Sequence, residues 1–324
     1  MKMAPILRAF AALEPAVPTL LVHTGQHYDA DMNDRLFADL ELPQPDVNLK
    51  VGSGSHAVQT AQVMLRFEAV LDEHQPRCVV VVGDVNSTLA CTLVAVKKNV
   101  PVVHVEAGLR SFDRNMPEEI NRKLTDQVAD RLYTTERSAA DNLLREGIDE
   151  SRICFAGNVM IDSLVAARPK APDLHKVLQA VPDVPAHWHK DLPRFGVVTL
   201  HRPSNVDRPE TLQHLLQTLG LAAQRLPLIF ALHPRTRENI RRFELQAELD
   251  PSRILLLPPQ GYLEMLGLMS AATVVMTDSG GLQEESTALG VPCLTLRDNT
   301  ERPITLEQGT NSLVGQDREL TLTL

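Results

Sequence analysis

The sequence predicts an α/β protein of two domains, each built on a parallel sheet with helices packed against it. Three observations carry that prediction. Cys78-Val79-Val80-Val81-Val82-Gly83-Asp84 and Val100-Pro101-Val102-Val103-His104-Val105-Glu106 are short, apolar and β-branched, as are strands buried on both faces of a parallel sheet. Runs of this kind alternate with helically spaced apolar residues in both halves of the chain. Between the halves, Arg168 to Arg194 carries five prolines among polar residues and reads as a linker. Domains are therefore expected at residues 1–167 and 195–324, joined by 168–194.

In chain order, Ile6 to Leu13 has helical spacing, and Pro18 to Gly25 reads as a strand ending in a turn. Ser55 to Glu73 is helical, the Cys78 run is a strand, Asn86 to Lys98 a helix and the Val100 run the next strand. Pro117 to Thr134 reads as one long helix with apolar Ile120, Leu124, Val128 and Leu132, although Arg131 to Thr135 allows a short strand at its end. After the proline-rich stretch come a strand at Phe195–His201, a helix at Thr211–Leu226, and strands at Leu228–Pro234 and Ile254–Leu257. A strand at Thr273–Asp278 then leads through Ser279-Gly280-Gly281 into a helix, and Cys293–Leu296 is the last strand expected.

Composition narrows the class. With 44% hydrophobic and 23% charged residues in 324, the chain is that of a folded globular protein, not a disordered or fibrous one. Thirty-two Lys and Arg against 41 Asp and Glu give a net charge of −9, which with no basic run argues against nucleic-acid binding. A single phosphorylated ligand stays within reach, since helix ends and a few arginines hold one locally. No apolar run approaches the roughly 18–20 residues of a membrane span, and the start, Met1 to Pro5, lacks a signal-peptide apolar stretch. Cys78, Cys91, Cys154 and Cys293 lack metal-ligand spacing and lie in or beside apolar runs, which reads as buried free thiols in a reducing cytoplasm and no metal site, so a cytoplasmic protein is expected.

Open parallel sheets bind ligands beyond the carboxyl ends of their strands. The polar residues at those ends are Asp84 and Glu106 in the first half, and His201, His233 and Asp278-Ser279-Gly280-Gly281 in the second. Each has a structural alternative. Asp84 suits an N-cap for the helix near Asn86. Glu106 suits an ion pair with Arg110. Glu118 and Glu119 after Pro117 suit a helix dipole. Together, Asp84, Glu106 and Glu118 are also a set of carboxylates fit for acid–base chemistry. Ser279-Gly280-Gly281 offers bare N–H groups at a helix start, Glu285 lies about one turn in, and Arg302 lies in a loop after a strand. His233 reads as a turn histidine, and His201 is open between acid–base and phosphate roles.

Read as strings, these residues resemble the non-hydrolysing UDP-N-acetylglucosamine 2-epimerases. The carriers are Gly83-Asp84 with Thr88, His104 to Arg110 (HVEAGLR), Met116 to Arg122, Gly157-Asn158 with Asp162, Thr277 to Glu285 (TDSGGLQEE) and Thr300 to Pro303. They occur in family order over nearly the whole chain. The resemblance implies a glycosyltransferase-B-like fold, two Rossmann-like domains with parallel sheets facing a cleft. It implies interconversion of UDP-GlcNAc and UDP-ManNAc by elimination of UDP to 2-acetamidoglucal and re-addition, with no cofactor and no metal. Asp84, Glu106, Glu118 and His201 become the catalytic set. Lys2, Gln260, Met265, Ser279, Gly280, Gly281, Glu285 and Arg302 join Asp84, Glu106 and His201 as substrate contacts, and a homodimer is implied. Met265 stands where an aromatic residue is common.

Family members also have an initial strand and a Gly-Thr-Arg-Pro-type loop before the sequence matched by Lys2 to Pro5, and a helical tail beyond the position of Leu324. The resemblance thus implies a chain shorter than its relatives at both ends. Gln26-His27-Tyr28 and Gln59 only partly match the region where many bacterial members bind a second, activating UDP-GlcNAc. A hydrolysing epimerase releasing UDP and ManNAc, a glycosyltransferase of the same architecture, and a UDP-sugar-binding remnant without catalysis are the competing readings.

Overall fold

Parallel pairing organises every strand among the described residues, which in this computed structural model are 1–25, 30–189 and 194–324. The chain divides into two compact units, Met1–Ser163 and Leu164–Leu324.

The first unit runs α1 (Met3–Ala12), β1 (Val22–His23), α2 (Ala30–Asp39), β2 (Val47–Asn48), α3 (His56–His74), β3 (Val79–Val82) and α4 (Asn86–Lys97). It continues with β4 (Val102–Ala107), α5 (Pro117–Val128), β5 (Arg131–Thr134), α6 (Arg137–Arg145) and β6 (Ile153–Phe155). Strands β3-β4-β5-β6 form one four-stranded sheet, and β1-β2 form a separate pair. Val79, Val81, Val102 and Leu132 bury the sheet against Val63, Phe67 and Leu71 of α3 and Ala90, Val94 and Ala95 of α4. Ser55 starts α3 by accepting a hydrogen bond from the Val58 N–H. The long helix expected over 117–134 ends at Val128, and β5 is a strand in its own right. Leu132 and Thr134 are buried in register with β4, so sheet burial outweighs helical spacing there.

Helix α7 (Val159–Ala167) crosses the division. The second unit then holds α8 (Leu174–Ala180), β7 (Gly196–Thr199), α9 (Pro203–Val206), α10 (Pro209–Ala223), β8 (Leu228–Ala231), α11 (Pro234–Arg242) and β9 (Ile254–Leu257). It ends with α12 (Tyr262–Ala271), β10 (Val274–Thr277), α13 (Gly280–Leu289), β11 (Cys293–Thr295), α14 (Pro303–Glu307), β12 (Asn311–Leu313) and α15 (Arg318–Thr323). Its sheet order is β12-β11-β10-β7-β8-β9, with a core of Phe230, Leu212, Leu216 and Leu219 on one side and Val197, Ile229 and Val275 on the other.

The stretch 168–194 departs from the linker expected on composition. It carries α8, capped by the Asp173 carboxylate on the Lys176 N–H, and it buries Val177, Leu178 and Trp188 in the second unit's core. Proline count marked the breaks between short helices, while one Trp and two branched residues supplied enough apolar area to fix them. Burial also divides the cysteines: Cys91 and Cys293 are buried, but Cys78 and Cys154 are exposed, because each lies at the rim of its apolar run. No helix among the described residues is long and apolar enough to cross a membrane.

Candidate active site

In the first unit the polar residues gather where β3 and β4 end. The Gly83 N–H bonds to the Val105 carbonyl at 3.0 Å, so Asp84 and Glu106 leave neighbouring strands side by side. Asp84 caps nothing. Val85 is the N-cap of α4, and no side chain caps the helix. The Asp84 carboxylate instead receives Arg122 Nη2 at 2.5 Å, and its carbonyl receives Asn121 Nδ2 at 2.9 Å. Both partners come from α5, whose first turn is thereby tied to the Asp84 loop. Glu118 lies half-buried in that turn. Its neighbour Glu119 is buried, accepting from Arg122 Nη1 at 2.8 Å and from Ser111 N at 2.9 Å.

Glu106 does not pair with Arg110. Its carboxylate, 1% exposed, meets Lys2 Nζ at 2.7 Å. The backbone explains the change of partner. Glu106 sits in a register shift of β4 between Val105 and Ala107, with φ at +74°. That left-handed bulge costs a non-glycine residue roughly 1–3 kcal/mol and re-aims the side chain. Gly83 makes room for the ammonium, since a Cβ there would lie 2.9 Å from Lys2 Nζ. Arg110 turns the other way, onto Asp126 at 2.8 Å and onto both oxygens of Glu146 at 2.6 and 2.9 Å. Burial alone would disfavour its charge, but these carboxylates raise the guanidinium above its usual pKa. Asp126 also takes His104 Nδ1 at 2.7 Å and the Gly108 N–H at 3.1 Å. This buried hub braces the bulge from behind.

In the second unit the sheet order reverses direction between β7 and β10, the kind of position where open α/β sheets bind ligands. His201 lies two residues past β7 and Asp278-Ser279-Gly280-Gly281 follows β10, so both stand at this switch point. Asp278, fully buried, accepts from the N–H groups of His201 and Arg202 at 3.0 and 2.9 Å and from Asn205 Nδ2 at 3.1 Å. It also meets His201 Nδ1 at 3.0 Å. Burial pushes its carboxyl up, and His201 with the backbone donors more than reverses that, leaving its pKa below the ordinary value. His233 caps α11 through Nδ1 on the Arg235 N–H, the turn role expected for it.

Ser279 is the N-cap of α13 and Gly280 its first residue. A Cβ on Gly280 would lie 2.3 Å from Glu301 Oε1, so only glycine fits beneath that carboxylate. Glu301 pairs with Arg297 at 2.9 Å. Burial would raise its pKa, but Arg297 and Arg302 hold it down at about 2. Arg302, 4% exposed, has Nε 3.2 Å from Glu284. Glu285, also buried, is pushed up to about 7 by burial, with Tyr262 drawing it partly back and Glu284 adding to the rise. Gln260 is half-buried and donates to the Pro258 carbonyl at 2.8 Å. Met265 packs half-buried on the core.

Of the expected residues, Lys2, Asp84, Glu106 and Glu118 thus belong to the first unit, and His201, Gln260, Met265, Ser279, Gly280, Gly281, Glu285 and Arg302 to the second. Gln26-His27-Tyr28 lie outside the described residues, while Gln59 bonds to Asn86 at 3.0 Å and to the Gly52 carbonyl at 3.3 Å. Sequence reasoning gave no role to Arg122, Tyr262 or Arg297. The signals were faint: Arg122 stands three residues after Glu119, and Arg297 four before Glu301.

The chain matches known proteins over nearly its whole length. A family profile described as UDP-N-acetylglucosamine 2-epimerase matches residues 11–323. The UDP-N-acetylglucosamine 2-epimerase of Methanocaldococcus jannaschii is 42% identical over 323 residues, covering 98% of this chain and 86% of that protein. The UDP-2,3-diacetamido-2,3-dideoxy-D-glucuronate 2-epimerase of Pseudomonas aeruginosa is 41% identical over 306 residues, covering 93% and 81%. The crystal structure of the M. jannaschii enzyme with UDP-GlcNAc and UDP superposes with a TM-score of 0.87 over 99% of this chain and 87% of that one. The Neisseria meningitidis UDP-GlcNAc 2-epimerase, solved with UDP-GlcNAc, gives 0.87 at 28% identity, over 99% and 86%. The chain belongs to the UDP-N-acetylglucosamine 2-epimerase family.

Proposed function

We propose that this isomerase interconverts UDP-GlcNAc and UDP-ManNAc by eliminating and re-adding UDP. A carboxylate removes the C2 proton, the C2–H electrons form the C1=C2 bond of 2-acetamidoglucal, and the C1–O bond breaks with its pair going to UDP. In the return step UDP oxygen attacks C1, and C2 takes a proton on the opposite face. Asp84, Glu106 and Glu118 share the base and acid roles. Lys2 meets the substrate beside Glu106.

His201, the α13 start at Ser279, Gly280 and Gly281, and Arg302 receive the diphosphate, whose charge grows as C1–O breaks. A helix N-terminus and a buried cation stabilise that charge. Glu285 takes the ribose hydroxyls, and Gln260 and Met265 the uracil side. The observation that carries the reading is Glu106, a buried carboxylate on a positive-φ bulge with an ammonium at 2.7 Å. Strain of this kind concentrates at functional sites. The substrate and its product place the reaction in the cytoplasm, ahead of polysaccharide assembly, and the protein acts as a homodimer.

Proton NMR of UDP-GlcNAc with the purified protein in D2O tests this. Deuterium at C2 with UDP-ManNAc appearing is expected. No exchange from folded protein overturns it, and free UDP accumulating in step with free sugar replaces re-addition by hydrolysis. UDP-2,3-diacetamido-2,3-dideoxy-D-glucuronate is run beside it, and exchange in that sugar alone would move the substrate while keeping the chemistry.

A further inference from the structure

We propose that Asp278 is the positioning residue of His201, fixing the Nδ1 proton toward its own carboxylate so that Nε2 is the nitrogen presented to the nucleotide. The proposal rests on the reading of His201 as a diphosphate and sugar contact. Asp278 lies just past β10 and His201 two residues past β7, two strands paired in register through Thr277 and Thr199. The carboxylate is wholly buried, whereas the His201 side chain is 35% exposed. An ionised carboxylate only accepts hydrogen bonds, so a proton shared across the 3.0 Å Nδ1–carboxylate contact belongs to Nδ1. Nε2 has no hydrogen bond among the described residues. It carries a lone pair in the neutral ring and a proton in the imidazolium, the two forms a proton or phosphate contact uses.

A purely structural reading of Asp278 is available. The N–H groups of His201 and Arg202 and Asn205 Nδ2 would together staple β7 to β10. The ring contact is what goes beyond a staple, and the two are separable. In Asp278→Asn the backbone donors keep the side-chain oxygen, so the amide NH2 faces the ring. Nδ1 must then accept, and the ring proton moves to Nε2. The fold keeps its staple, but the nitrogen offered to the ligand is inverted. Removing the charge of such an orienting carboxylate lowers turnover steeply where histidine carries a proton.

The experiment is a long-range 1H–15N correlation spectrum of histidine-labelled protein, with His201→Gln identifying the His201 signals. In the parent, Nδ1 is expected protonated. In Asp278→Asn the neutral ring is expected protonated on Nε2, with turnover down about 10²–10⁴-fold. UDP affinity by calorimetry should stay within about threefold, because α13 and Arg302 are untouched. An unprotonated Nδ1 in the parent's neutral ring overturns the proposal without any variant, and so covers the case in which the variant does not fold. An unchanged tautomer in the variant, or an inverted one with parental turnover, also overturns it. A parent that shows the expected tautomer yet exchanges no C2 proton from either sugar defeats the proposed function instead.

Discussion

Arg122 holds Asp84 across 38 residues of chain, with Nη2 donating to Asp84 Oδ2 at 2.5 Å while Nη1 binds Glu119 at 2.8 Å. One guanidinium therefore orients an expected catalytic carboxylate and neutralises a buried one. Its planar fork is what allows both. Arg122→Met leaves Glu119 buried without its cation, which should cost about 3–5 kcal/mol. Arg122→Lys, with one charge and no fork, should fall between. Urea unfolding measures both, and a loss below about 1 kcal/mol for the Met variant would refute the pairing's importance.

Glu106 makes the opposite prediction, one in which glycine beats alanine. At φ +74° any residue with a Cβ is strained. Glu106→Gly should therefore be more stable than Glu106→Ala by about 1 kcal/mol, despite glycine's greater freedom when unfolded. Both variants should lose C2 exchange at least about 100-fold. Alanine matching or exceeding glycine in thermal unfolding would show that the bulge is not strained in solution.

These two sites also mark where sequence reading stops. Strands β3, β4, β7, β8 and β10 are legible because each is four or more residues of mainly apolar chain between turn signals. Strands β2, β6 and β12 span two or three residues and were not expected, while β1 and β11, as short, were legible within Pro18–Gly25 and Cys293–Leu296. Helix α11, Pro-Arg-Thr-Arg-Glu-Asn-Ile-Arg-Arg, has almost no apolar stripe and is fixed by the His233 cap and the burial of Ile240. The strand-end rule found Asp84, Glu106, His201 and Asp278 because topology puts such residues together. Their partners were out of reach. Arg110 looked right for Glu106 on spacing, but the bulge turns Glu106 toward Lys2, 104 residues away in sequence.

Stability should fall as pH rises through the range in which Glu285 titrates. Burial raises its folded pKa from 4.5 to about 7, so between those values the folded state binds more protons than the unfolded one. The stabilisation is complete below about pH 4.5 and is lost as pH passes about 7, a swing of roughly 3 kcal/mol. Glu301 works in the opposite sense in a separate window, since its folded pKa of about 2 adds stability that is lost only below about pH 4.5. Glu285→Gln should remove the decline between pH 5 and 7.5 in urea unfolding. An equal decline in parent and variant would assign it to another group.

The proposed homodimer needs a surface on which two copies can pair, and helix α5 offers one. It buries Glu119, Asn121, Arg122, Thr125 and Asp126 and exposes Ile120, Leu124 and Val128, at 48%, 48% and 37%. An ordinary surface helix does the reverse, and an exposed apolar stripe of this kind marks an interaction surface. Beside it a groove of about 390 Å³ between α3 and α5 is lined by Ala57, Ala61, Met64, Pro117 and Ile120. The outer face of α3 adds exposed Val58 and Leu65. Ridge and groove on one surface suit an isologous pairing, in which the ridge of each copy enters the groove of the other. Leu124→Glu puts a charge on the ridge, where it costs the single chain no more than about 0.5 kcal/mol. Light scattering after gel filtration should give a dimer for the parent and a monomer for the variant. A monomeric parent, or a variant that still dimerises, would show that another surface, or none, joins the copies.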